Sequence, residues 1–257
     1  MIPKTIHFCW FGYNEKPPLV KRCIKSWKKK CPDYEIIEWN EENFDISLND
    51  YVREAYAAGR WAFVTDYARL WIIFHHGGIY LDTDVELLKP LDAFLSQPAF
   101  LGLEDCGTIN TGLGFGAEKS NPVIGCMLRD YEHIHFKYPD GSFNTLPCPI
   151  RNTESISQLL PERMDPDEII VLQDAVIYPR EYFCPLSADG TTMLRTKNTC
   201  SIHWFTASWL TKDQKIVHDY RVFRGRCEKI FGKKAGRLIV RIIYLFQPKK
   251  RSIIRRK

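Results

Sequence analysis

The stretch Phe63–Glu86, FVTDYARLWIIFHHGGIYLDTDVE, holds the densest chemical signal in this 257-residue chain. Its first part continues a mostly apolar helix that runs from Arg60 to His76. Gly77 and Gly78 end that helix by supplying the left-handed conformation its C-terminus favours. Ile79 to Val85 then alternates as a strand does, with Asp82 and Asp84 near its C-terminal end. Two carboxylates at i and i+2 share one face of a strand, and where the strand runs into a loop they converge on one cation. Carboxylate oxygens suit hard ions such as Mg²⁺ or Mn²⁺, and such ions neutralise a diphosphate leaving group. Asp-x-Asp alone equally describes two solvated loop acids, so the neighbours decide. Asp66 and Arg69 are three apart, on one face of a helix otherwise built from Phe63, Val64, Leu70, Trp71, Ile72, Ile73 and Phe74. A charged pair in that setting must be satisfied inside the protein or by a ligand. Carboxylate and guanidinium together are a usual means of holding sugar hydroxyls.

Outward from this stretch the elements alternate. Lys4 to Phe11 reads as a strand stopped by Gly12. Pro17 and Pro18 open a helix with Val20, Ile24 and Trp27 at helical spacing, and Cys31-Pro32 closes it. Tyr34 to Trp39 is a second strand, so the chain begins as an α/β protein with parallel strands. Downstream, Ala99 to Glu104 and Thr111 to Gly116 are expected as strands and Asn121 to Ile134 as a helix. Tyr138 to Thr199 is rich in Pro and polar residues. Loops are expected there, with a short helix near Ser155 to Leu160 and a strand near Ile169 to Leu172. Cys200 to Trp204 is expected as a last strand entering the site.

The hydrophobic fraction of 45% is ample for a buried core. Nine cysteines stand singly, without Cys-x-x-Cys pairs, which points to neither a disulfide framework nor a zinc site and fits a reducing cytoplasm. The net charge of +5 is unevenly spread. Arg221 to Lys257 carries 14 Lys or Arg and a single acid, Glu228, a net of +13. The remaining residues hold 22 basic and 30 acidic side chains, a net of −8. A nucleic-acid binder would spread positive charge over its folded body, so no nucleic acid is expected as partner.

The ordered string Asp66, Arg69, Gly77, Gly78, Tyr80, Asp82 and Asp84 resembles the sugar-binding region containing the Asp-x-Asp motif of glycosyltransferase family 32. The large clostridial glucosylating toxins share that core. The opening Ile2-Pro3-Lys4-x-Ile6-His7-x-x-Trp10 looks like the family's first strand, and Ile202-His203-Trp204 with Ser208-Trp209 resembles its C-terminal motif. The resemblance covers about residues 2 to 210, and Glu118 to Thr199 contributes little to it. It implies a GT-A fold, an α/β domain with a mixed central sheet flanked by helices. The nucleotide pocket then lies at the strand C-terminal ends, where ligands of open α/β sheets bind.

The same resemblance implies roles. Trp10 would stack on the nucleotide base, Asp66 and Arg69 would bind donor sugar hydroxyls, and Tyr80 belongs with the donor-binding residues. Asp82 would touch ribose or sugar, Asp84 would hold Mn²⁺ or Mg²⁺, and His203 would be the third metal ligand. Asn110 would hold donor or acceptor hydroxyls, although an Asn there also suits a turn. Ser208 and Trp209 would sit on a loop closing over the diphosphate and excluding water. The family retains anomeric configuration. Glu104 and Asp105 are nucleophile candidates by position only, and attack on the leaving-group face is favoured, with the phosphate as base.

These readings give a catalytic domain over residues 1–215 and a membrane-association segment over 216–257. In the tail, Lys234, Arg237 and Arg241 form one helical stripe. Leu238, Ile239, Ile242, Ile243, Leu245 and Phe246 cover much of the rest, in runs too short for the roughly 20 residues that span a bilayer. A basic amphipathic helix on an anionic membrane follows, the alternative being a helix packed on the catalytic domain. The expected activity is hexose transfer from a nucleotide sugar, UDP-hexose favoured and GDP-mannose open. The acceptor would be a glycan or glycolipid of bacterial surface polysaccharide or lipooligosaccharide. The expected location is cytoplasmic, on the inner face of the cell membrane. Two rivals use the same residues. Ile79 to Val85 also fits a haloacid-dehalogenase phosphatase with Asp82 as nucleophile, although that leaves Asp66, Arg69 and Gly77-Gly78 unexplained. A non-catalytic carbohydrate-binding protein is the other.

Overall fold

In the computed structural model, which describes residues 1–257 apart from 163, 164, 207–209, 211, 256 and 257 and the side chains at 248, 249, 251 and 255, the opening elements form as their patterns require. Strand β1 (Thr5–Cys9) and strand β2 (Glu35–Trp39) pair in parallel from Thr5↔Glu35 to Cys9↔Trp39. Helix α1 (Pro18–Lys30) connects them, with proline in its first turn and Lys28, Lys29 and Lys30 in its last, where cations suit the helix dipole. It buries Val20, Cys23 and Trp27, so Cys23 takes the inward position that spacing had given to Ile24. Helix α2 (Asp50–Ala57) follows, capped by the Asn49 side chain, which accepts from the Tyr51 and Val52 amides.

Helix α3 (Trp61–His76) is buried along most of its length and ends at Gly77, whose φ is +68°. Strand β3 (Gly78–Tyr80) then runs parallel to β1. Here the structure corrects the expected continuous strand over Ile79 to Val85. Pairing with β1 ends as the Leu81 amide donates to the His7 carbonyl, and Val85 N–H closes a turn onto the Asp82 carbonyl at 3.0 Å. Asp82 and Asp84 therefore lie in a turn and not on a strand. Aspartate disfavours a pleated ladder and favours turns, and two adjacent carboxylates fare better where the chain leaves the sheet.

The chain then enters a second sheet through β4 (Val85–Leu87). It returns to the first through β5 (Ala99–Gly102), β6 (Phe115–Ala117), β7 (Ile170–Val171) and β8 (Val176–Tyr178), interspersed with α4 (Pro122–Arg129) and α5 (Cys148–Ser155). The main sheet has the order β2-β1-β3-β6-β5-β8-β7, with β6 antiparallel to both neighbours, so it is mixed. The expected strand over Thr111 to Gly116 is confined to its end. Asn110 Oδ1 accepts from the Gly112 amide at 2.6 Å and turns the chain first. After α6 (Arg180–Phe183), β9 (Ser201–His203) pairs antiparallel with β4.

These elements form one compact unit, residues 1–185 with 195–204. A second unit joins 186–194 to 205–257 and contains helices α7 (Lys212–Phe231), α8 (Lys233–Leu245) and α9 (Pro248–Arg255). The whole expected segment 216–257 lies within it. Among the described residues no helix is long and apolar enough to cross a membrane.

Candidate active site

Two contacts from distant parts of the chain hold the turn that carries the carboxylates. The Trp27 indole donates to the Val85 carbonyl at 2.7 Å, so the buried face of α1 fixes the start of β4. On the other side the Trp204 amide donates to the Asp84 carbonyl at 3.0 Å, and Val85 stands opposite His203 in the β4–β9 register. His203 thus arrives beside Asp84, with Nε2 3.1 Å from Oδ1. Asp82, Asp84 and His203 each offer one ligand atom, and these lie within 4.8 Å of one another.

A second cluster adjoins the first. One nitrogen of the Arg69 guanidinium lies 3.0 Å from Asp66 and 3.2 Å from Asp82. Another faces Thr111 Oγ1 at 3.5 Å and Cys148 Sγ at 3.6 Å, and Nε donates to the Thr65 carbonyl at 3.2 Å. The Tyr80 ring lies 5.3 Å below the guanidinium, and its hydroxyl donates to Asp82 at 3.1 Å. Arg69 is 4% exposed at its side chain and committed on all three nitrogens, whereas Asp82 is 24% exposed. The arginine organises carboxylates more than it presents itself to solvent.

The electrostatics favour a cation. Burial pushes the Asp82 carboxyl up to about 6; Arg69 opposes this, and the Asp84 charge adds to it. Burial likewise raises Asp66 despite Arg69. Burial disfavours a charged His203, but the adjacent Asp84 carboxylate outweighs it and carries the imidazole above its ordinary value. Carboxylates crowded to the point of competing for protons are stabilised by a divalent ion, which supplies charge without protonation. Two carboxylates and an imidazole suit Mn²⁺ or Mg²⁺ as a donor set, so the residues present fit the expected metal.

Asn110 joins the cluster through its turn. Its amide nitrogen donates to Glu104, and its Oδ1, besides holding Gly112, lies 4.0 Å from Cys148 Sγ. Gly112 sits against the carboxylates so closely that a Cβ there would stand 2.5 Å from Asp82 Oδ2 and 3.3 Å from an Arg69 nitrogen. Trp10 follows β1 at the C-terminal edge it shares with β3. It is half-buried, its indole donates to the Asn14 carbonyl at 2.6 Å, and the Lys16 ammonium lies 5.6 Å over its ring. Ser208 and Trp209 lie outside the described residues.

Three further residues had no sequence signal. Cys148, at the start of α5, touches Arg69 and Asn110, and burial keeps its thiol protonated, with the Asp66 charge adding to the effect. Asn152, one turn on, donates to Thr111 Oγ1 at 3.0 Å. Thr111 thereby links α5 to Arg69. All three meet through contacts between positions 41 to 79 residues apart, which local pattern does not encode.

With this geometry in view, similarity to known proteins is informative. Residues 17–101 match the family described as glycosyltransferase sugar-binding region containing DXD motif. The chain carries a glycosyltransferase DXD region. The match includes Asp66, Arg69, Tyr80, Asp82 and Asp84 and leaves Trp10, Asn110 and His203 outside it. Inositol phosphoceramide mannosyltransferase 3 of Schizosaccharomyces pombe is 31% identical over 150 residues, covering 53% of this chain and 39% of that protein. Inositol phosphoceramide mannosyltransferase 1 of the same organism is 26% identical over 207 residues, covering 74% and 62% respectively. The chain thus spans less than two thirds of either relative. Among solved structures, the PaToxG glycosyltransferase superposes with a TM-score of 0.50 at 20% identity, covering 62% of this chain and 70% of that one. That likeness concerns the fold, which is of the GT-A type. The relatives of this DXD region are transferases, which sets it apart from the phosphatase reading of Asp82.

Proposed function

We propose that the chain is a metal-dependent retaining glycosyltransferase that moves a hexose from a nucleotide sugar to a glycan or glycolipid acceptor. The observation that carries this is the meeting of Asp82, Asp84 and His203 within 4.8 Å, beside the buried Asp66–Arg69 pair, in a DXD region. A divalent ion held by Asp82, Asp84 and His203 would offset the charge of the diphosphate leaving group. Asp66 and the partly exposed Asp82 accept hydrogen bonds from donor hydroxyls, and Arg69 fixes both carboxylates in place. Asn110, tied to Glu104, borders the same space, and Trp10 stacks on the nucleotide base. The acceptor hydroxyl attacks on the face the diphosphate leaves. A bond forms from its oxygen to the anomeric carbon, the bond to the phosphate oxygen breaks, and the hydroxyl proton passes to that departing oxygen.

UDP-hexoses are the donors favoured by the Trp10-type opening, and the names of the two yeast relatives put a mannosyl donor beside them for testing. Those names also specify a lipid, inositol phosphoceramide, which supports a lipid-linked acceptor here. Capsule and lipooligosaccharide precursors at the inner face of a bacterial membrane are such acceptors. Donor hydrolysis across a panel of UDP- and GDP-sugars, with Mn²⁺, with Mg²⁺ and with EDTA, tests the proposal. One donor should be turned over with metal and none with EDTA; full turnover in excess EDTA removes the metal assignment.

A further inference from the structure

The second unit is built around a helical hairpin whose two faces differ. Helices α7 and α8 join at Gly232, and Gly236 brings them into backbone contact, since a Cβ there would lie 2.5 Å from the Glu228 nitrogen. Val240, four residues on, is buried in the same direction, Arg237 pairs with Glu228 at 2.9 Å, and Tyr244 meets Tyr220 edge-on at 5.0 Å. At about 100° per residue, the opposite side of α8 carries Leu238, Ile242, Leu245 and Phe246. They are exposed by 58%, 46%, 47% and 82%. Ile230 and Phe231, at the hairpin turn, are exposed as well. Lys234 and Arg241, seven apart, flank this stripe along one edge.

We infer that this second apolar face of α8, with its basic edge, docks on an anionic lipid bilayer. The choice of occupant follows from charge. Arg221 to Lys257 carries +13, so two copies meeting through this face would repel, while an anionic surface attracts it. Nucleic acid is also anionic but offers no apolar bed for four large aliphatic and aromatic side chains; lipid tails do. The stripe is too short to span a bilayer, and lying in the interface is the arrangement left to it. The structure also refines the basic set. Arg237 is engaged with Glu228, so Lys234 and Arg241 are the residues of the edge to test. The inference stands independently of the transfer chemistry proposed above.

The test is co-sedimentation of the full chain with vesicles of phosphatidylcholine containing a minority of phosphatidylglycerol, against vesicles of phosphatidylcholine alone. The parent should bind the anionic vesicles and lose part of that binding as salt rises. Lys234→Gln with Arg241→Gln should weaken binding by about 25-fold, about fivefold per charge. Leu238→Ser with Ile242→Ser should weaken it about tenfold or more for each side chain that enters the bilayer, at low and high salt alike. All four residues are exposed, so circular dichroism and thermal midpoint should match the parent, and donor hydrolysis without vesicles should persist. Four results would overturn the inference: no binding by the parent, folded variants binding as the parent does, self-association of the parent relieved by Leu238→Ser, or preference for duplex DNA over anionic vesicles. None of these would alter the donor-hydrolysis result, so the two proposals fail separately.

Discussion

Gly112→Ala tests the candidate site with a single methyl group. Gly112 lacks the positive φ that would penalise a side chain, so the substitution strains no backbone. Its Cβ, however, would stand 2.5 Å from Asp82 Oδ2 and 2.9 Å from Asn110 Oδ1, where ordinary contact begins at 3.4 Å. Asp82 must therefore retreat by about 0.9 Å or rotate away from Arg69 and Tyr80. A misplacement of about 1 Å in a catalytic constellation costs on the order of a hundredfold in rate, whereas overpacking of this kind costs about 1–3 kcal/mol of stability. Gly112→Ala should thus remain folded, with its thermal midpoint lowered by a few degrees. Metal-stimulated donor turnover should fall about a hundredfold, and Mn²⁺ affinity measured by calorimetry should fall with it. A folded variant with parental turnover and parental Mn²⁺ affinity would refute the placement of Asp82 in the reacting site.

Four further outcomes are expected. Asp84→Asn should abolish metal-dependent turnover while circular dichroism stays parental; residual activity that still responds to Mn²⁺ would move the metal elsewhere. Trp10→Ala should weaken binding of the nucleotide by about 1–3 kcal/mol by calorimetry. Arg69→Ala should spare the free nucleotide but weaken the nucleotide sugar, and by leaving Asp66 and Asp82 buried without their cation it should cost about 3–5 kcal/mol of stability. His7 gives an acid dependence: burial holds its pKa down, from 6.5 to about 4, while its ring accepts from Trp39 and contacts the Gly77 carbonyl. Because the unfolded state binds the proton first, this contribution is intact above pH 6.5 and is lost as pH falls toward 4, amounting to about 3 kcal/mol. Denaturant unfolding at several pH values, with an NMR titration of His7, checks this; a folded-state His7 titrating near 6.5 would contradict it.

Local pattern carried a large share of the candidate site. Asp66 and Arg69 were recognisable because three residues on a helix bring side chains together, and Asp82 and Asp84 because they lie two apart. The β1–α1–β2 opening was legible for the same reason. The turn at Asp82 was misread because Ile79, Leu81 and Val85 continue a period of two straight through it. Only the pairing of β4 with β9 shows that the sheet has ended. The N-cap Asn49 and the inward Tyr51, Val52 and Ala55 of α2 carry the local signals of a helix as well. Cys148, Asn152 and Thr111 are another matter: Cys148 and Thr111 meet Arg69, and Asn152 meets Thr111, by long-range contacts no spacing encodes. The antiparallel insertion of β6 is equally non-local.

The two-stranded ribbon of β4 and β9 has a consequence for synthesis. It recruits His203 to a carboxylate 119 residues earlier in the chain. At translation rates of about 5–20 residues per second, Asp84 is made about 6–24 s before its imidazole partner. The seven-stranded sheet closes with Tyr178, so that sheet and both acids are laid down before the Asp82–Asp84–His203 cluster is complete. A nascent chain therefore carries every strand of that sheet before the imidazole of the cluster has been made. Assembly of all three side chains is in this way deferred until the ribbon forms.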